Sequence, residues 1–212
     1  RLLKILVIGS SGTGKTSFVQ RWTKGNFIEN YKPTVVSDFG FKIIEYKEKK
    51  YRIQLWDIGG QDKSPFMAKI FSHDSHGCLV LSDCSKPETL KQTLDWKNVM
   101  SEESSFVDGK KLPFVLVQNK IDLIQSKEEL DEVEENTKDL ANNNDFVKYF
   151  MTSVKDNVNI EETMLFIIGN IIDRMEDYAA KGGDIFPDER RKYTVSLNEP
   201  SFNIKDKKES CC

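Results

Sequence analysis

Short runs in which nearly every residue is apolar alternate along the chain with longer stretches in which apolar residues recur every three or four positions. Residues 2–8, 78–82 and 114–118 are of the first kind. Their continuous apolar character predicts strands buried on both faces, the pattern of a parallel sheet. Residues 146–152 are read as the last strand of the same sheet. Residues 38–46 and 51–57 are strand-like as well, and the polar Lys47-Glu48-Lys49-Lys50 between them predicts a hairpin. The second kind of stretch predicts helices over 15–24, from 85 to about 104, over 126–142 and from 160 to 178. Ser85-Lys86-Pro87-Glu88 has the spacing of a capping box with proline in the first turn. Ile160, Met164, Ile167, Ile168, Ile171, Ile172 and Met175 make the clearest helical stripe, a face for core packing. Residues 25–37, 58–68 and 101–111 read as loops, the second with a short helix after Pro65. Alternation of strands and helices predicts an α/β fold. Its sheet is mostly parallel and six-stranded, with one antiparallel edge strand and helices on both faces. Ligands bind such sheets at the carboxyl ends of the strands.

The helical period stops after Tyr178. Residues 1–178 are therefore read as one domain and 179–212 as a flexible polar tail, which suits a length of 212 residues. A net charge of −3, from 31 basic and 34 acidic residues, gives no electrostatic case for nucleic acid. No apolar run approaches the ~20 residues that span a bilayer. Cys78 and Cys84 lie in or beside an apolar run, while Cys211 and Cys212 end the chain. That is no disulfide framework and suits a reducing, cytosolic setting. The chain opens at Arg1 without a signal-peptide layout, so a few N-terminal residues are expected to be missing. His73 and His76 lack a further ligand set at zinc-like spacing and are read as surface polar residues.

The loop after the first strand changes the picture. Gly9-Ser10-Ser11-Gly12-Thr13-Gly14-Lys15-Thr16-Ser17 has the phosphate-cradling spacing of a P-loop, between a strand and a helix. The glycines let successive N–H groups point at one anion, and the helix adds its positive end. Lys15 supplies a point charge for the outer phosphates, and the Thr16 hydroxyl suits Mg²⁺. Trp56-Asp57-Ile58-Gly59-Gly60-Gln61 closes the third strand. Asp57 is placed to hold Mg²⁺ through water, the Gly60 N–H to approach a terminal phosphate, and Gln61 to orient a water. Thr34, in the loop before the hairpin, can complete the Mg²⁺ shell. Asn119-Lys120-Ile121-Asp122 follows the 114–118 strand at the same edge. A carboxylate there accepts N–H bonds from guanine N1 and N2, a donor pair adenine lacks. Asn119 can brace the base or the P-loop, the Lys120 stem can lie over the ring, and Ser153-Val154-Lys155 can offer amides to the base oxygen.

Taken in order, these segments resemble the small Ras-like GTPases of the P-loop NTPase class over residues 2–178. Within that superfamily the chain is similar to the Rabs, through Trp56-Asp57, Asp38-Phe39 and the terminal Cys211-Cys212. The resemblance implies GTP and GDP with Mg²⁺ as ligands, slow hydrolysis without an activating protein, and no built-in arginine finger. It implies roles by position: Phe27 packs on the base, Tyr31 belongs to the first switch, and Phe39, Trp56 and Phe71 face effectors. Geranylgeranylation of Cys211 and Cys212 would anchor the chain, since two chains bind a membrane stably where one is marginal. Exchange factors, GTPase-activating proteins, effectors, prenyl-delivery proteins and a GDP-dissociation inhibitor are the implied partners. The implied protein is a monomer, at the cytosolic face of an intracellular membrane and cycling with the cytosol. Ile58 and the long loop before Phe114 resemble Rabs of late endosomal and lysosome-related organelles.

Departures fall in the partner-facing loops. Val36 stands where Rabs have glycine, Gly59 where they have alanine and Asp62 where they have glutamate. Phe71-Ser72-His73-Asp74-Ser75 replaces the usual Tyr-Tyr-Arg-Gly-Ala. Ser11 is a common Rab choice. Two alternatives stay open at this point: a nucleotide-bound binding module with negligible turnover, and an ATP-using P-loop enzyme, against which Asp122 argues.

Overall fold

A computed structural model describes residues 1–27, 37–60, 70–102 and 104–184. Six strands form one sheet: β1 (Leu2–Gly9), β2 (Ser37–Tyr46), β3 (Lys49–Ile58), β4 (Gly77–Asp83), β5 (Phe114–Asn119) and β6 (Lys148–Met151). Their spatial order is β2-β3-β1-β4-β5-β6. All neighbours are parallel except β2 against β3, which gives the single antiparallel edge. Every residue of β4 and β5 is buried, which requires cover on both faces of the sheet. That cover comes from α1 (Lys15–Lys24), α2 (Pro87–Glu102), α3 (Lys127–Asn143) and α4 (Ile160–Ala180).

The apolar stripe of α4 behaves as its period predicts. Ile160, Met164, Ile167, Ile168, Ile171, Ile172 and Met175 are all buried in the core. Gly169, in the middle of α4, leaves room for the Tyr46 side chain, whose hydroxyl would lie 2.9 Å from an added Cβ. Lys47 pairs with Asp173 and Glu176 of α4, and Lys49 with Glu176, at 2.7–3.1 Å. These are exposed pairs of the kind that contribute little to stability.

Local chemistry shifts several element bounds. The β2–β3 connection is shorter than the four residues expected, because Tyr46 already pairs with Lys49. Lys47 and Glu48 both adopt positive φ, 48° and 61°, the two-residue turn that matches strand twist. The expected capping box does not form as such, since Ser85 Oγ donates to Asp83 Oδ1. Helix α2 ends at Glu102 rather than near 104. At α3 the cap is regular: Ser126 Oγ accepts from the Glu129 N–H, and Glu129 accepts from the Gln125 N–H. The last strand is shorter than 146–152, because the Phe146 N–H still bonds Ala141 O at the end of α3. The last helix runs two residues past Tyr178. Among the described residues no helix is long and apolar enough to cross a membrane.

Register decides what shares an edge. Asp57 pairs with Val7, Gly9 with Leu81, Asp83 with Asn119 and Gln118 with Met151. The carboxyl ends of five strands thus line up along one side of the sheet.

Candidate nucleotide site

At that edge the chain leaves β1 through the Gly9–Lys15 loop and enters α1 with Gly14 in a left-handed conformation, φ 96°. A pocket there is lined by Ser11, Gly12, Gly14, Lys15, Thr16, Ser17 and Gly60. Lys15 is nearly buried, and its ammonium donates to the carbonyls of Gly9 and Ser10, both at 2.9 Å. Burial pulls its pKa down to about 8, against the opposing pull of Asp57. A buried cation hydrogen-bonded to backbone carbonyls is poised to exchange them for a polyanion. Thr13 faces inward instead, its hydroxyl donating to Ser10 O at 2.9 Å. The Ser10 hydroxyl donates to Gln92 of α2 at 2.5 Å and so ties the loop to that helix.

Across the pocket, Thr16 Oγ1 donates to Asp57 Oδ2 at 2.5 Å. A hydroxyl beside a buried carboxylate is the hard-oxygen chemistry that suits Mg²⁺. Gly60 lies against the P-loop so closely that an added Cβ would sit 2.5 Å from Ser11 N and 2.7 Å from Lys15 Nζ. The Thr16–Asp57 pair fits a metal ion, and the crowding at Gly60 means that only glycine fits against the P-loop. Thr34, Tyr31 and Gln61 lie outside the described residues.

The second half of the site is built from side chains. Asn119, buried at the end of β5, donates through Nδ2 to Thr13 O at 2.9 Å. Its Oδ1 accepts from Thr152 Oγ1 at 3.2 Å and from the Val154 N–H at 3.3 Å. One amide therefore joins the P-loop, β5 and the 153–155 loop. Gly14 is required beside it, since a Cβ there would stand 2.5 Å from Asn119 Nδ2. Asp122 accepts from Ser153 Oγ at 2.7 Å, and Ser153 Oγ in turn accepts from the Asp156 N–H. Phe27 is partly buried against the core.

Sequence reading did not reach Asp83. It is buried at the end of β4, where Oδ2 pairs with Lys120 Nζ at 2.6 Å and Oδ1 accepts from the Ser85 N–H and hydroxyl. Lys120 itself takes a left-handed φ of 68°. Its carbonyl accepts from the Cys84 thiol, which burial, helped by Asp83, Asp122 and Glu129, pushes up to about 11. The thiol thus serves as a neutral donor. Asp83 and Gln92 meet partners 37 and 82 positions away, so no local motif announces them.

The P-loop, the Asp57-x-x-Gly60 turn, the Asn119–Asp122 segment and the 153–155 loop thus meet at one edge. Comparison with known proteins agrees with that geometry. The Ras family model matches residues 4–173. The chain belongs to the Ras family, in its Rab branch. It is 31% identical to the Ras-related protein Rab-32 of Sus scrofa, over all of this chain and 88% of that protein. It is 33% identical to Rab-7L1 of Homo sapiens, over 79% of this chain and 81% of the relative. With Rab-32A of Dictyostelium discoideum the identity is 34%, over 81% and 78%. The chain is accordingly a GTPase that binds guanine nucleotides.

The aromatic residues expected on the partner-facing side of a Rab do cluster. Phe39 stacks on Trp56 with ring centres 6.1 Å apart, and Phe71 tilts against Trp56 at 6.0 Å. They differ in access: Phe39 is 56% exposed, whereas Phe71 is 5% exposed and belongs to the core. Lys4 lies over the Trp56 ring at 4.6 Å. His73 is exposed, as expected, and pairs with Asp74, but His76 is not the surface residue expected: it is largely buried before β4, where its Nδ1 accepts from the Lys4 N–H at 3.2 Å. Cys211 and Cys212 lie outside the described residues.

Proposed function

We propose that this Rab-type GTPase is a membrane-attached switch in vesicle trafficking, which hydrolyses GTP slowly and recruits effectors in its GTP state. The observation that carries the reading is the Asn119 bridge, because it couples the guanine-selecting segment to the phosphate-binding loop through one buried side chain. Lys15 and the P-loop amides hold the phosphates and stabilise charge that develops on them. Thr16 and Thr34 would hold Mg²⁺ directly, with Asp57 behind. The ion neutralises phosphate oxygens when bound. Gln61 orients the attacking water, and the Gly60 N–H reports the presence of the terminal phosphate. Asp122 selects guanine, Lys120 covers the ring and the 153–155 loop meets the base oxygen. Phe27 packs on the base and Tyr31 moves with the first switch.

Loss of the terminal phosphate releases Thr34 and Gly60, and the partner surface around Phe39 and Trp56 changes with them. Residues 1–178 form the switch domain, and 179–212 a tail carrying two geranylgeranyl groups on Cys211 and Cys212. Exchange factors, activating proteins, effectors, prenyl-delivery proteins and a dissociation inhibitor act on this cycle. It runs between cytosol and the cytosolic face of a late endosomal or lysosome-related membrane.

Mass spectrometry of the purified protein for bound nucleotide, followed by a single-turnover time course, tests the core of this. Bound GDP or GTP with slow phosphate release, slowed further in Gln61→Leu, is expected. Unchanged hydrolysis in Gln61→Leu removes the role given to Gln61, and absence of any release leaves a static nucleotide-bound module.

A further inference from the structure

Arg21 leaves the last turn of α1 toward the opposite loop and meets three backbone carbonyls at once. Nε donates to Val154 O at 2.9 Å, Nη2 to Lys155 O at 2.8 Å and Nη1 to Gly25 O at 3.1 Å. The guanidinium also lies over the Phe27 ring, 5.6 Å from its centre. Gly25, the left-handed cap of α1, returns its own N–H to Arg21 O at 2.9 Å, so the helix end is closed from both sides. A rigid planar fork is the side chain that can satisfy such a set; a lysine ammonium is a single point.

The consequence lies on the far side of the 153–155 loop. In a trans peptide the C=O and the following N–H point opposite ways. Drawing Val154 O toward α1 turns the Lys155 N–H away from it, and that amide has no partner among the described residues. Drawing Lys155 O the same way turns the Asp156 N–H onto Ser153 Oγ, which donates to Asp122. Arg21 thus orients one amide for an acceptor and, through Ser153, the carboxylate that takes the guanine donors. We propose that Arg21 is a positioning residue for guanine recognition, bracing the base loop against the end of α1 and the Phe27 ring. It holds together the base edge and the segment that opens the first switch, so any partner that displaces Arg21 loosens both. The proposal rests on the base-edge roles given above to Asp122 and Lys155.

The test uses the full chain loaded with a fluorescent GDP and chased with unlabelled GDP, beside GDP and ADP affinities of the nucleotide-stripped protein. Arg21→Ala is expected to release GDP roughly tenfold faster or more, as loss of charge-assisted bonds implies. It should also narrow the GDP-to-ADP affinity ratio, which a general loosening of α1 would leave alone. Arg21→Lys keeps the charge and loses the fork, so most of the defect remains. Lys42→Ala, a nearby cation paired with Glu161, should match the wild type. Release within about twofold of wild type in Arg21→Ala, an unchanged ratio, rescue by Arg21→Lys or an equal defect in Lys42→Ala overturns the proposal. Should Arg21→Ala not fold, Arg21→Lys decides it: wild-type release and selectivity refute the fork. Wild-type protein that holds no labelled GDP refutes the base-edge reading instead.

Discussion

The two ends of the nucleotide site are built on different principles. Around Lys15 the side-chain donors are one ammonium and one hydroxyl, and both are bonded to acceptors of the protein itself: Lys15 to Gly9 O and Ser10 O, Thr16 to Asp57. Around Asn119 the side chains are held by bonds to one another and to the backbone. Asn119 makes three bonds, Asp122 is held by Ser153, and Lys120 by a buried Asp83. On the proposed function the phosphate end would trade partners when ligand arrives, and the base end would not. On the same reading, a site so divided would keep a fixed grip on guanine while the end that meets the last phosphate rearranges. Preorganisation would then give the base edge its selectivity, and exchangeable bonds the phosphate edge its response.

Substitutions can separate the two ends. The largest effect is expected from Lys15→Ala, which should weaken both GDP and GTP by about a hundredfold or more, since a charge-assisted contact to phosphate is lost. The GDP-to-ADP ratio should stay where it was, and titration of nucleotide-stripped protein reads both quantities. A collapse of that ratio would show that the ends are not separable. Asn119→Ala comes next. Removing a buried amide that serves three segments leaves Thr13 O and the Val154 N–H without it, at a cost of about 1–3 kcal/mol for each unsatisfied group. Faster GDP release and a lower melting temperature are both expected, because this side chain belongs to both ends. Wild-type melting would mean that the bridge is dispensable to the fold.

Asp122→Asn should act on selectivity with a smaller change in overall hold. The GDP-to-ADP ratio should fall by about tenfold or more, because the pairing that rejects adenine is removed. An undiminished ratio would move guanine selection elsewhere, to the 153–155 loop. The smallest effect is expected far from the site, at the amino ends of the strands. Burial holds the His76 pKa down to about 4, below its ordinary 6.5, while Asp74 pulls the other way. Between those values the unfolded chain binds a proton that the folded one does not, so stability is intact above pH 6.5 and falls toward pH 4. Urea midpoints measured from pH 7 to pH 4.5 should drop more for wild type than for His76→Asn. Equal slopes would remove His76 as the source.

Much of the site is legible as sequence because its chemistry is local. The P-loop glycines, Lys15 and Thr16 fall within eight consecutive positions, and Asn119 stands three positions before Asp122. Such spacings survive without the fold. The strands are legible for a similar reason, since β4 and β5 are buried on both faces and show it in every residue. Bounds were harder. The Lys47-Glu48 turn and the early start of β3 depend on strand twist and pairing, which composition does not display.

Residue type and spacing already carried the fold class and the family, because each rests on neighbours a few positions apart. Tertiary structure decided how those residues are held. Asp83 finds Lys120 across two strands, Gln92 reaches back to Ser10, Phe71 turns into the core beneath Trp56, and Arg21 grips a loop more than a hundred residues downstream. These contacts join segments whose separation along the chain has no fixed relation to their separation in space. Strand order, register and the packing of α1 and α2 on the sheet bring them within hydrogen-bonding distance.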